Sequence, residues 1–392
     1  MKYNFDEIIE RKGTNSVKWE AGEILKQAGY TERYDNDTIP LFVADMDFAI
    51  PQPVLNALHK RVNQRMFGYT LHTSDDEYNY AIQNWFKRRF NWSIKKEEIV
   101  YSPGTVHALN IAILAYTKPG DGVLIQRPVY PPFTKVIEKN QRQVINNELV
   151  NHEGYYSIDF EDLEDKAQKP DTTMMILCSP HNPVGRIWQK WELEKIAEIC
   201  KKNNIILVSD EIHGDLIRCE QSFYPIATVT DMNNLVVCTA INKTFNVAGL
   251  HCSNIVISNE ILRKKFSETQ GIQSPSPFVI SALIAAYNEG EEWLEQLKEY
   301  VDSNFDFLKK FLTTQLPKVK YRPPEGTYIA WLDFSSYKLT PEEVHKRIYL
   351  DANVVLQDGK MFGEYSSDFQ RICLPTPKSI LKEALERIAR QF

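Results

Sequence analysis

Ile205-Ile206-Leu207-Val208-Ser209-Asp210-Glu211-Ile212-His213-Gly214 is an apolar run that ends in two acids. An unbroken apolar stretch, rather than an alternating one, is what a strand covered on both faces requires, so the run reads as a central strand of a parallel sheet. Ligands of open α/β sheets bind at the carboxyl edge, and Asp210 is delivered to that edge. From the residues alone its carboxylate has two readings. It can hold a protonated pyridine nitrogen cationic, or it can cap the next helix or meet an arginine.

Working outward, short β-rich runs recur at 98–101, 122–126, 174–178, 205–209, 235–239 and 253–257, separated by helix-like stretches. Strands alternating with helices imply an α/β fold with a mainly parallel sheet covered on both faces. A long amphipathic helix is predicted over about 290–315, ended by Pro317. Strand-like segments near 327–333, 353–356 and 370–374 follow, then a closing helix from Pro377 to Arg390, and this tail reads as a smaller α+β domain. A chain of 392 residues exceeds what one hydrophobic core usually serves. The expected division is an arm and part of the small domain over 1–45, a large domain over 46–285 and a small domain over 286–392.

A net charge of −6 provides no basic face for phosphate neutralisation, so neither nucleic acid nor an anionic membrane surface is expected as a partner. No apolar run approaches the roughly 20 residues of a membrane helix, and Met1 to Glu7 contains no signal-peptide core. Six cysteines lack CxxC or Cys/His metal spacing, and several sit in strand-like runs where a thiol simply packs. A reducing compartment, the cytoplasm, is the expectation, with no metal.

Three further motifs carry chemistry. In Thr239-Ala240-Ile241-Asn242-Lys243-Thr244-Phe245-Asn246-Val247-Ala248-Gly249-Leu250, Lys243 stands where a buried strand opens into a loop. Desolvation there favours the free amine, which makes Lys243 a candidate Schiff-base nucleophile; a lone lysine at a strand end otherwise reads as a solvated charge. In Met174-Met175-Ile176-Leu177-Cys178-Ser179-Pro180-His181-Asn182-Pro183-Val184-Gly185-Arg186, two prolines and a glycine fix the turn that holds Asn182. That amide can donate to a phenolate-type oxygen, or be an ordinary turn asparagine. Ser102-Pro103-Gly104-Thr105-Val106 is a glycine turn leading into a helix, the kind of start at which backbone amides bind phosphate.

Taken together, in the order Asn182, Asp210, Lys243, these runs resemble fold-type I pyridoxal-phosphate enzymes, the aspartate aminotransferase superfamily. Phe5 to Thr14 with Ser16-Val17-Lys18-Trp19, Val43-Ala44-Asp45-Met46-Asp47-Phe48, Phe67-Gly68-Tyr69, Pro128-Val129-Tyr130-Pro131-Pro132-Phe133, Asp210 to His213, Lys243-Thr244-Phe245-Asn246 and Pro324-Glu325-Gly326-Thr327-Tyr328 narrow the resemblance. They are similar to the cystathionine β-lyase, cystalysin and MalY/PatB group of C–S lyases.

The resemblance implies a pyridoxal 5'-phosphate-dependent β-lyase of sulfur amino acids. The alternative is an aminotransferase, and a regulatory protein-binding role is a possible addition. It implies Lys243 as the cofactor lysine and Asp210 at the ring nitrogen, with Asn182 at the ring oxygen and Tyr130 stacked on the ring as an aid to leaving-group protonation. Gly104, Thr105 and Val106 fall at the phosphate, which Tyr69 reaches from the other subunit of a homodimer with shared active sites. His213 lies beside the cofactor, and Arg371 and Ala44 at the carboxylate of a small-molecule amino acid. Asn242, where the family often has a hydroxyl residue, and Cys373, where it usually has asparagine, depart from the pattern; His251 replaces an anchoring arginine of aspartate aminotransferases.

Overall fold

A computed structural model describes residues 1–392. Its strands are β1 (Ile39–Pro40), β2 (Ile99–Ser102), β3 (Gly122–Ile125), β4 (Gln143–Asn146), β5 (Val150–His152), β6 (Tyr155–Ser157), β7 (Thr172–Cys178), β8 (Ile206–Asp210), β9 (Leu235–Ala240), β10 (Ser253–Val256), β11 (Lys320–Tyr321), β12 (Ile329–Asp333), β13 (Val354–Val355), β14 (Gln357–Asp358) and β15 (Phe369–Cys373). The large sheet has seven strands in the order β2-β10-β9-β8-β7-β3-β4. All run parallel except β10, which is antiparallel to both neighbours. The run that opens with Ile205 is the central strand of seven, as its apolar continuity requires.

Both faces of this sheet are covered. Leu207, Val237, Met175 and Leu177 face one buried cluster, while Val208, Val236, Met174 and Ile176 face the other. The alternation is the two-residue period of a pleated strand, so each central strand is apolar at every position. The edge strand β4 is not among the predicted runs. Gln143 is exposed and Val144 to Asn146 are only half-buried, so an edge position left no continuous apolar signal.

A second, antiparallel sheet has the order β11-β12-β15-β14. The helix Glu291–Gln315 precedes it, with Leu316 at its C-cap, and the helix Lys378–Ala389 follows, with Pro377 at the N-cap position. The segment near 353–356 forms a strand, as its sequence predicts. Its β13 does not join this sheet but pairs in parallel with β1, Ile39 opposite Val354 and Pro40 opposite Val355. The N-terminal region is thereby tied to the C-terminal one, through a strand too short to show periodicity.

The turn after Asn182 shows why a glycine stands there. Gly185 adopts φ +71, and a Cβ on it would lie 2.2 Å from the Pro324 Cβ. Its carbonyl accepts from the Glu325 and Gly326 amides at 2.8 and 2.9 Å, which fastens the segment leading into β12 against the end of β7.

Candidate active site

Strand register decides which side chains meet. Ser102 of β2 is level with Ser253 and hence with Ala240, while Cys238 is level with Asp210 and Asp210 with Cys178. The chain leaving β2, β7, β8 and β9 therefore emerges along one carboxyl edge. That edge carries Gly104, Asn182, Asp210 and Lys243 in turn. Lys243 does not lie in a loop as expected but in a single helical turn, Ile241–Thr244, which starts directly from β9. Arg371 comes from the other sheet. It sits in the middle of β15 rather than at its end, paired with Trp331 on one side and Gln357 on the other.

Asp210 is buried and accepts one hydrogen bond, from the Ile212 amide at 3.3 Å. Burial pushes its carboxyl up to about 7, against the weaker opposing pull of that amide and of Lys243. Its second sequence reading is not met in either part: the Ile212 amide closes a turn with no helix following, and no arginine pairs with the carboxylate.

Lys243, partly buried, donates from Nζ to the Ala44 carbonyl at 2.6 Å. Desolvation lowers its pKa; Asp45, Cys373 and Asp210 oppose that shift and Arg371 adds to it. Arg371 is buried, donating from Nη1 to Asn182 Oδ1 at 3.2 Å and from Nη2 to the Phe42 carbonyl at 2.7 Å, while its Nε has no partner. Because Asn182 accepts through Oδ1, its Nδ2 is left to donate into the site. His213 is buried with Nδ1 unpartnered, and its pKa is depressed to about 3, first by burial and then by Lys243 and Arg371, so the imidazole is neutral at physiological pH. The Tyr130 hydroxyl is raised in pKa, chiefly by burial.

Gly104 precedes the twelve-residue helix Thr105–Tyr116, and a Cβ there would meet nothing within 4 Å. The open cradle at a helix N-terminus suits an anion. Asn242 accepts from the Cys252 amide at 3.3 Å and takes no part in the cluster. Tyr69 also stands apart, fully exposed in a stretch where Met66, Phe67 and Leu71 are exposed too.

A cavity of about 670 Å³ shares no residue with this cluster and is lined by groups such as Lys60, Arg61, Glu77 and Glu289. Unmatched buried polar groups, not open volume, mark the site.

Two contributors went unassigned in the sequence. The Tyr328 hydroxyl donates to the Ala44 carbonyl at 3.0 Å and its ring meets His213 edge to face; its motif Pro324 to Tyr328 was the available signal. Phe362 lies with its ring centre 5.2 Å from the Arg371 guanidinium carbon, and no motif announces it.

A spare buried carboxylate, an amine relieved of part of its charge, an amide donor, an aromatic ring and an anion cradle on one edge fit pyridoxal 5'-phosphate. Each is a group that the phosphate, ring nitrogen, ring oxygen or aldehyde of that molecule can satisfy.

The sequence profile described as aminotransferase class I and II matches residues 36–388. Cystathionine β-lyase PatB of Bacillus subtilis is 41% identical over 391 residues, 98% of each chain. Protein MalY of Escherichia coli is 30% identical over 388 residues, 98% of this chain and 97% of that one. Among solved structures, cystalysin of Treponema denticola, which contains a pyridoxal 5'-phosphate cofactor, superimposes with a TM-score of 0.94 at 35% identity, covering 100% of this chain and 99% of that one. A matching profile over most of its length and such identities carry one conclusion: the chain belongs to the aminotransferase class I and II family.

Proposed function

We propose that this protein is a pyridoxal 5'-phosphate-dependent C–S β-lyase that releases a thiol, pyruvate and ammonia from cystathionine or a related cysteine S-conjugate. The observation that carries the reading is the pairing of Lys243, its amine eased toward neutrality, with the buried, nearly unpartnered carboxylate of Asp210. Bound there, the cofactor supplies an electron sink for the bond broken at Cα.

Lys243 would hold the cofactor's aldehyde carbon and, once displaced by the substrate amine, take the Cα proton at Nζ. Asp210 would accept from the ring N–H, Asn182 Nδ2 would donate to the ring oxygen, and the Gly104, Thr105 and Val106 backbone would meet the phosphate. Tyr130 would stack on the ring, and His213, neutral, would sit beside it without adding charge. Arg371, with donors to spare, and the Ala44 backbone orient the substrate carboxylate. When the Cβ–S bond breaks, sulfur would leave with the bonding pair and take a proton from the Tyr130 hydroxyl, which is held protonated by burial.

A homodimer completes the site in this reading, with Tyr69 reaching the partner's phosphate. The exposed Met66, Phe67, Tyr69 and Leu71 stretch supports it as a surface made to be covered. Free cysteines, most of them buried, support a reducing, cytoplasmic setting.

The deciding assay gives cystathionine to purified protein without a keto-acid acceptor. Continuous release of pyruvate and thiol is expected; one stoichiometric turnover that stops until an acceptor is added would make the enzyme an aminotransferase. Lys243→Ala should abolish both the visible absorbance of bound cofactor and turnover. Mixing Tyr69→Phe and Lys243→Ala subunits should restore activity above the sum of the parents, and failure to do so would remove the shared site.

A further inference from the structure

The carbonyls that hold the two cations of the site belong to one irregular segment, Leu41–Phe48. Phe42 accepts from Arg371 and Ala44 from Lys243, so this strap touches both sheets' contributions. It has almost no regular structure of its own. Part of what holds it comes from nearby: Asn246 donates to the Met46 and Phe48 carbonyls at 3.3 and 2.8 Å and accepts from the Met46 amide at 3.2 Å. Backbone bonds to Val355, Cys373 and Pro375 and the Tyr328 hydroxyl also hold it, and its charged anchors come from Arg11 to Trp19.

Arg11 donates from Nη2 to Asp45 Oδ2 at 2.9 Å and from Nη1 to the Met46 carbonyl at 2.8 Å. Lys18, with none of its surface exposed, donates to Asp47 Oδ2 at 2.6 Å and to the Asp45 carbonyl at 3.1 Å. The Trp19 indole donates to Asp47 Oδ1 at 2.8 Å. A fully buried ion pair is seldom more stable than apolar packing of the same volume. It does fix position and charge, and that is what a strap carrying the contacts of Lys243 needs.

We infer that Arg11 is a positioning residue for Lys243, acting through Asp45: it holds the strap in register and neutralises a carboxylate that would otherwise bind the lysine's charge. The inference rests on Lys243 as the cofactor lysine. The charged or titratable groups facing Lys243 are Asp45 on the strap, Asp210 and His213 after β8, and Arg371 and Cys373 on β15. Of these, Asp45 is the one whose charge is set from outside the site, because its ion-pair partner is the arm's Arg11.

The sign follows from electrostatics. Without Arg11, an unmatched Asp45 favours the protonated form of the nitrogen at Lys243. Without Asp45, that preference weakens.

The test is a pH titration of the visible absorbance of full-length protein loaded with pyridoxal 5'-phosphate. Arg11→Gln should move the midpoint up by about one pH unit. Asp45→Asn should move it down, and the double variant should return it toward wild type. Arg11→Lys should restore most of the shift. A role confined to stability would lower Tm without moving the midpoint. An unmoved midpoint in both single variants, or a double variant that stays where Arg11→Gln lies, overturns the inference. Should Arg11→Gln fail to fold, the downward shift in Asp45→Asn decides alone. If the Lys243→Ala control keeps the absorbance, the cofactor-lysine reading falls, and the inference with it.

Discussion

Two carboxylates are buried in this chain, and they are treated in opposite ways. Asp47, on the strap, is met by Lys18 at 2.6 Å and by the Trp19 indole at 2.8 Å. Asp210, at the end of β8, has only the Ile212 amide at 3.3 Å, and next to it Glu211 is buried with its carboxyl pushed up to about 8. A buried charge that serves structure is matched within the chain. One left unmatched on a binding edge is stabilised by something that arrives later. The two lysines differ in the same way: Lys18 has the Asp47 carboxylate at 2.6 Å, whereas Lys243 donates only to the neutral Ala44 carbonyl.

The largest effect expected from breaking this contrast is at Lys18. Lys18→Met leaves buried Asp47 with only the longer contact to Arg11 at 3.7 Å, and removing the close partner of such a pair destabilises by about 3–5 kcal/mol. Urea denaturation should show that loss. Lys18→Met combined with Asp47→Leu should recover most of the stability while leaving the strap without its anchor. If the single variant lost less than about 1 kcal/mol, well under that range, the pair would not be the matched one described.

Asp210→Asn should move stability the other way. In the cofactor-free protein the folded carboxyl titrates near 7, above the roughly 3.9 of an unfolded chain. The wild type's contribution at this position is therefore fully present below pH about 4 and lost as pH rises through about 7. Asparagine cannot ionise, so cofactor-free Asp210→Asn should match wild type at low pH and exceed it at pH 8 by on the order of 2–4 kcal/mol. With cofactor bound, the proposed contact of the carboxylate with the ring N–H means that the variant should lose tenfold or more in kcat, about 1.4 kcal/mol of barrier. A variant less stable than wild type at pH 8 without cofactor would show that Asp210 is a structural acid like Asp47.

How much of this contrast the sequence displays follows from its physics. The central strands were legible because each is apolar at every position, and the edge-borne Asn182, Asp210 and Lys243 followed from where those runs stop. β13 reads as strand-like, but its partner β1, two residues long and more than 300 residues earlier, carries no periodic signal. The helical turn at Lys243 was hidden because four residues are too few to show a helical period. Lys18 was harder still. A lysine in the four-residue helix Val17–Glu20 looks like surface, and only tertiary packing reveals it as fully buried. Which charges find partners is a property of the fold, so the difference between Asp47 and Asp210 could not be read from either residue's neighbours.

Arg371 stands between the two cases, and its variant carries the smallest expected change in stability. It is buried and matched by Asn182 and Phe42, yet its Nε is unpartnered, and it lies against the Phe362 ring. Arg371→Ala removes two hydrogen bonds of which one acceptor is a backbone carbonyl, a loss of about 1–3 kcal/mol. Its functional effect should be broader than that of any side-chain pocket residue. Every α-amino acid presents the same carboxylate, so KM should rise by about ten- to a hundredfold for all of them, the range expected for a charge-assisted contact. Steady-state kinetics on several S-conjugates checks this, because an arginine serving only the fold would lower the fraction of active enzyme and leave KM unmoved. A rise confined to one substrate would instead place Arg371 against the variable side chain, and the spare Nε would then belong to the leaving group rather than to the carboxylate.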